Sequence, residues 1–121
     1  MNIKDGVYPR QIRQCAYCLI DLADSLDALD MALKIDGIEL VVTSIMDGKH
    51  ASDSRHYQGR AADIRTRHLM DEQVRKLIQA AHKLFRVKVE IGPDKYWYDG
   101  GDIVLPKKRS ENQHVHVELR S

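Results

Sequence analysis

The chain has 121 residues, the size of one domain with a single hydrophobic core. Its 19 lysines and arginines nearly balance its 18 aspartates and glutamates, so the charge gives no support for nucleic-acid binding. No apolar run approaches the ~20 residues of a membrane-spanning helix, and the N-terminus lacks a hydrophobic export signal. We therefore expect one domain over residues 1–121, synthesised in the cytoplasm without a signal peptide.

The first half of the chain predicts a long helix followed by a strand. Pro9 suits a first helical position, and an amphipathic pattern runs from there to about Leu33. Gly37 is expected to end this helix. Residues 38–43 are rich in β-branched side chains and predict a strand, and residues 44–54 then form a polar loop.

Cys15 and Cys18 form a Cys-x-x-Cys pair within the predicted helix. No second cysteine pair completes a four-thiolate metal site, and no strand is predicted before the motif, as a redox site would require. The helical spacing instead favours two small apolar groups on or beside a buried helix face. A redox protein that uses this pair stays as an alternative, and it would need a shifted thiol pKa but no histidines.

The second half predicts one more helix and several strands. In chain order we expect a strand over residues 61–65, a helix from Met70 to Leu84, strands over 87–91, 103–105 and 114–119, and a turn-rich segment over 92–101. The basic cluster at residues 107–109 is expected to be a solvated loop. Together these elements indicate an α+β fold, with helices packed on a mainly antiparallel sheet that bears one zinc site on its exposed face.

Imidazoles and a carboxylate occur in two compact clusters, and these carry the functional prediction. His56 and Asp63 lie on either side of Gly59, a residue that permits a chain reversal. His114 and His116 point to the same face of the last predicted strand, because side chains alternate along a strand. Zinc bound by His56, Asp63 and one of the two C-terminal histidines would keep a fourth position for water, as catalytic zinc sites do. The spacing alone does not choose between His114 and His116.

The pattern Ser-x-His-x-x-Gly-x-Ala-x-Asp over residues 54–63, followed by His114-x-His116, resembles the signatures of the M15 peptidases. These are zinc D-Ala-D-Ala carboxypeptidases and L-Ala-D-Glu endopeptidases that cut bacterial cell-wall peptides. The segment also resembles the amino-terminal signalling domain of hedgehog proteins, a relative of that zinc fold. The resemblance covers mainly residues 43–64 and 114–119, and it implies that His56, Asp63 and His116 bind Zn²⁺.

The resemblance also implies amide hydrolysis in peptidoglycan stem peptides, in which a carboxylate accepts a proton from the attacking water. Glu111 is the first candidate for this base, and His114 would stabilise the oxyanion or assist the leaving amine. Several family members place the acid three residues before the last ligand, where this chain has Gln113. Glu90 is the alternative base, since its predicted strand could run beside the strand of the two histidines.

One family pattern is missing from the chain. Many M15 enzymes carry Ser-Gly-Tyr-Arg after the first strand to hold a substrate carboxylate, whereas residues 44–47 here read Ser-Ile-Met-Asp. Zinc binding is therefore more directly implied than carboxypeptidase action. A small enzyme of this kind suits a phage endolysin or phage component that reaches the cell wall after release. The alternative is a non-catalytic, zinc-stabilised binding domain, as the hedgehog resemblance allows.

Overall fold

The computed structural model describes residues 1–4, 16–45 and 59–120, with the side chains of the first helix described from Ile20 onward. Within these residues, the helices are α1 (Ala16–Lys34) and α2 (Asp71–His82). The strands are β1 (Asn2–Ile3), β2 (Val41–Ser44), β3 (Ala61–Arg65), β4 (Phe85–Glu90), β5 (Tyr96–Trp97) and β6 (His114–Leu119). The helix start predicted at Pro9 and the side chains of both cysteines lie outside the described residues.

The strands form one mixed sheet in the order β1-β2-β3-β6-β4-β5. β1 and β2 run parallel, and the other neighbouring pairs are antiparallel. The predicted α+β fold with a mainly antiparallel sheet is thus confirmed. β6 lies between β3 and β4, so the strand with the two C-terminal histidines has neighbours on both sides.

The hydrophobic core lies between the two helices and one face of the sheet. Side chains that alternate along each strand supply the core from the sheet, and leucines from α1 and apolar residues from α2 cover them. The core includes Leu22, Leu26, Leu29, Leu33, Ile64, Val74, Leu77, Ile78, Ala81, Phe85, Val87, Val89, Val115, Val117 and Leu119. The intervening residues of β3, β4 and β6, which are mostly charged, therefore occupy the opposite face.

Local signals explain where both helices begin or end. Gly37 follows α1 with φ of 68°, a left-handed conformation that glycine adopts without strain. At the start of α2, the backbone N–H of Met70 donates to Oε1 of Gln73 at 2.9 Å. Asp71 and Glu72 in the first turn interact favourably with the positive end of the helix dipole. Neither described helix combines the length and apolar character that a membrane crossing requires.

One predicted element was wrong, and one predicted segment contains a short strand that was not predicted. Residues 103–105 form no strand; the backbone oxygen of Ile103 instead accepts a hydrogen bond from Nε of Arg75 at 3.5 Å. The segment predicted as turn-rich contains β5, where Trp97 pairs with Lys88 and Tyr96 with Val89. A two-residue strand is too short for hydrophobic alternation to reveal it, so this pairing depends on contacts between distant parts of the chain.

Arg109 is not the solvated loop residue that the sequence predicted, since only 16% of its side chain is exposed. Its guanidinium donates to the backbone oxygens of Thr66 at 3.2 Å and Leu69 at 2.7 Å, and it pairs with Asp71. Through these contacts, Arg109 connects the segment before β6 to residues 66–71, which lead into α2. Five N–H donors on a planar group make such multiple contacts possible.

Candidate functional site

The β3–β6 strand pair brings two of the predicted zinc ligands together. In this antiparallel pair Asp63 lies opposite His116, and Arg65 lies opposite His114. Oδ1 of Asp63 and Nδ1 of His116 are 3.0 Å apart on the face of the sheet away from the core. Two residues 53 positions apart in sequence are therefore in direct contact.

His116 has a carboxylate partner at each ring nitrogen. Nδ1 donates to Asp63, and Nε2 donates to Oε1 of Glu118 at 2.9 Å. Only the protonated imidazole can donate from both nitrogens. Burial lowers the pKa of His116, but the hydrogen bonds and charges of the Asp63 and Glu118 carboxylates outweigh burial and raise the pKa above its ordinary value. A metal ion bound by His116 would take the place of a proton.

His114 forms a second pair beside the first. Its Nε2 donates to Oε2 of Glu90 at 2.8 Å, and its Nδ1 donates to the backbone oxygen of Asn112 at 2.7 Å. Burial lowers the pKa of His114, but the Glu90 hydrogen bond and the nearby Asp63 charge raise it overall. The hydrogen bond from His114 in turn lowers the pKa of Glu90 to about 2, and Lys95, 3.3 Å away, acts in the same direction.

The expectation that the strand of Glu90 runs beside the strand of the histidines is confirmed, since β4 pairs with β6 and Glu90 lies opposite His114. One ligand atom each from Asp63, Glu90 and His116 lies within 4.8 Å of the other two. Histidine nitrogen and carboxylate oxygen are donors that can hold a divalent metal ion, so these three residues are a candidate metal-binding group.

The other predicted ligand, His56, lies outside the described residues. Gly59, which follows it, has φ of 68° and is buried. This left-handed conformation fits the prediction that the backbone between His56 and Asp63 needs a glycine.

Glu111, the predicted base, lies in an exposed turn and lines an open cleft together with His114. Within the described residues its carboxylate has neither a hydrogen bond nor an ion pair. Gln113, at the position where family members carry the acid, is part of a structural network instead. Its Oε1 accepts hydrogen bonds from Oγ1 of Thr66 at 3.2 Å and from Arg109 at 3.1 Å.

Two further residues adjoin the site, and no role was assigned to either from the sequence. Glu118 is buried and accepts a hydrogen bond from Arg86 at 3.4 Å as well as from His116. Its place two residues after His116 was the signal that could have identified it. Trp97 has its ring 6.0 Å from the His116 ring, edge to face, and the Arg86 guanidinium lies 4.4 Å from its centroid. Strand pairing positions Trp97, and no local pattern predicts it.

Taken together, the exposed face of the sheet holds two imidazoles and three carboxylates in one connected cluster. Such a set can bind a divalent cation or move protons between neighbouring groups. No protein-family model matches the chain, and no curated protein matches it in sequence.

Proposed function

We propose that the chain is a zinc-dependent hydrolase of the M15 type that cuts amide bonds in peptidoglycan stem peptides. The observation that carries this proposal is the contact between Asp63 and His116 at 3.0 Å. The resemblance to the M15 motifs implies that these two residues are zinc ligands, although they lie in distant parts of the sequence. Their contact supports the proposal because a shared metal site requires the two side chains to meet.

In this proposal His56, Asp63 and His116 bind the zinc. When bound, the ion would polarise the scissile carbonyl and lower the pKa of a water molecule towards ~7. Glu118 orients His116 through the second ring nitrogen, as carboxylates beside metal-binding histidines commonly do.

Proton transfer is assigned to Glu111 and His114. Glu111 lines the cleft beside His114. Among the described residues, none forms a hydrogen bond or an ion pair with its carboxylate, which can therefore accept a proton. Glu90 is less suited to this role, because a group with a pKa of about 2 holds a proton weakly at neutral pH. Glu90 instead accepts the Nε2–H of His114, so donation from this nitrogen to the oxyanion or the leaving amine would require His114 to exchange its hydrogen bond with Glu90 for one with the substrate.

The second candidate function is a zinc-stabilised binding domain without turnover. Gln113 favours it, because an amide cannot act as a general base and its Oε1 is already held by Thr66 and Arg109. Such a domain would bind zinc at the same residues but would not hydrolyse the peptide.

Incubation of the zinc-loaded protein with purified peptidoglycan, followed by mass spectrometry of the soluble products, tests the proposal. Stem-peptide fragments with newly formed amine and carboxyl ends are expected from the wild-type protein. Chelator-treated protein and the Asp63→Ala variant serve as controls and should release none. A zinc-loaded wild-type protein that releases nothing from several peptidoglycan types would support the binding domain.

A further inference from the structure

A small apolar cavity lies on the opposite side of the sheet from the histidine and carboxylate cluster. In β4, the side chain of Val89 belongs to the core, whereas the next side chain, Glu90, points to the face of the candidate site. Val89 lines the cavity together with Ile91, Tyr96 and Leu105. We call it the β4–β5 cavity.

The size of the β4–β5 cavity matches a single ring. Its volume is about 190 Å³, which is below the roughly 300–1,000 Å³ of sites for drug-sized ligands. An apolar cavity of roughly 150 Å³ is large enough for one benzene ring. Val89 and Ile91 are almost completely buried and supply apolar walls. A ring that enters the cavity would therefore leave water for an apolar environment, which is favourable.

The outer wall of the β4–β5 cavity comes from residues 104–106, and contacts hold this segment against the sheet. Just before it, the backbone oxygen of Ile103 accepts a hydrogen bond from Nε of Arg75 at 3.5 Å. At its end, Pro106 packs so closely on Gly92 that a Cβ at position 92 would lie 2.8 Å from Cγ of Pro106. A side chain at position 92 would therefore push Pro106 outward and change the shape of the cavity.

The charge at the mouth of the β4–β5 cavity is negative. Of the described residues that line the cavity, Asp94 alone carries a charge. Asp94 is exposed, and within the described part of the chain its carboxylate forms neither a hydrogen bond nor an ion pair. Tyr96 adds an aromatic ring, whose face attracts cations. The lining therefore combines apolar walls with two groups that favour a positive charge.

We propose that the β4–β5 cavity binds a primary amine that carries one apolar ring. The ring occupies the apolar interior, and the ammonium group lies at the mouth, where it pairs with Asp94 and is attracted by the ring of Tyr96. This amine site is separate from the proposed zinc centre, and it does not depend on the hydrolase function.

NMR titration of the full chain with three probes tests the amine site. Benzylamine supplies both ring and charge, benzyl alcohol the ring alone, and methylamine the charge alone. Benzylamine should bind most tightly and should shift the amide signals of Val89, Ile91 and Leu105. Its Kd should be roughly two- to fivefold lower than that of benzyl alcohol, which is the scale of one exposed ion pair. Methylamine should show no measurable binding at the same concentrations, because it has no ring to bury.

Asp94→Asn should raise the Kd of benzylamine to that of benzyl alcohol and leave the Kd of benzyl alcohol unchanged. Asp102→Asn is the matched control, since Asp102 is exposed and does not line the cavity. Gly92→Ala should weaken the binding of both ring-containing probes, and its melting temperature shows whether the variant is folded.

Two results would overturn the amine site. In the first, benzylamine and benzyl alcohol bind equally to the wild-type protein, and Asp94→Asn changes neither Kd. In the second, benzylamine binds no more tightly than methylamine or shifts only signals outside the cavity, so the ring does not occupy it. Zinc content and peptidoglycan hydrolysis should be the same in Asp94→Asn as in the wild-type protein, because the zinc centre lies on the other face of the sheet.

Discussion

Nδ1 of His116 donates a hydrogen bond to Oδ1 of Asp63 at 3.0 Å, although 53 residues separate the two in sequence. The contact exists because β3 and β6 are antiparallel neighbours in a register that places these residues opposite each other. The same strand, β6, pairs on its other side with β4, which brings Glu90 to His114. Three strands thus build one cluster, and each side chain in it can be tested separately.

The first prediction concerns metal content. Wild-type protein should bind about one zinc per chain, since the candidate site supplies one set of three ligands. His56→Ala, Asp63→Ala and His116→Ala should each lower the zinc content measured by elemental analysis. They should also lower the melting temperature in the presence of zinc, because a ligand bound only by the folded state stabilises it. His114→Ala should keep its zinc; retention in His116→Ala with loss in His114→Ala would make His114 the ligand.

The second prediction concerns the general base. Glu111→Gln keeps the size of the side chain but removes the proton acceptor, so peptide hydrolysis should fall by roughly 10²-fold or more while zinc content stays unchanged. Glu90→Gln is the paired variant and should have the smaller effect, through the orientation of His114. If Glu90→Gln abolishes cleavage and Glu111→Gln does not, Glu90 is the base.

Much of this framework could be predicted from the sequence. The strands over residues 61–65 and 114–119 have the predicted bounds, and polar and apolar side chains alternate along the second of them. That alternation also placed His114 and His116 on one face. β1 and β5, with two residues each, have too few positions to show a period.

The rest of the site depends on contacts between distant segments. Arg109 lies in a run of basic residues that favours a solvated loop. Its side chain is instead held by hydrogen bonds to the backbone oxygens of Thr66 and Leu69, which lie about 40 residues away in sequence. Trp97 reaches His116 only because β5 pairs with β4 at the edge of the sheet. Neither contact has a local signal in the sequence.

The third prediction concerns the hydrogen bonds that Arg109 donates to the backbone oxygens of Thr66 and Leu69. Arg109→Met keeps much of the apolar stem but leaves the backbone oxygens of Thr66 and Leu69 without this donor. The free energy of unfolding, measured by urea denaturation, should fall by roughly 2–3 kcal/mol. Lys107→Met, at an exposed position of the same segment, should change it by no more than about 0.5 kcal/mol. Equal losses in the two variants would show that the Arg109 contacts do not stabilise the fold.

The fourth prediction concerns Asp30, which is buried and lies 3.1 Å from both the amino group of Met1 and Nζ of Lys34. Burial raises the pKa of Asp30, but hydrogen bonds from these two cations outweigh burial and hold the pKa below its ordinary value. A carboxylate with a lowered pKa stabilises the fold above its unfolded-state pKa of about 3.9, and this contribution is lost as the pH falls through the folded-state value.

Wild-type protein should therefore be more stable than Asp30→Asn at pH 6, and the difference should shrink as the pH is lowered below about 4. Chemical denaturation of both proteins across this pH range measures the difference in their free energies of unfolding. A difference that does not depend on pH would show that the charge of Asp30 does not contribute.

X-ray absorption at the zinc edge, on wild-type protein and His116→Ala, tests most directly whether Asp63 and His116 share a metal ion. We expect a wild-type spectrum with nitrogen and oxygen ligands at about 2.0–2.2 Å, including two imidazoles. His116→Ala should lose the metal or one of these imidazoles. A spectrum with sulfur ligands at about 2.3 Å, unchanged in His116→Ala, would place the metal at Cys15 and Cys18 and contradict the proposed centre.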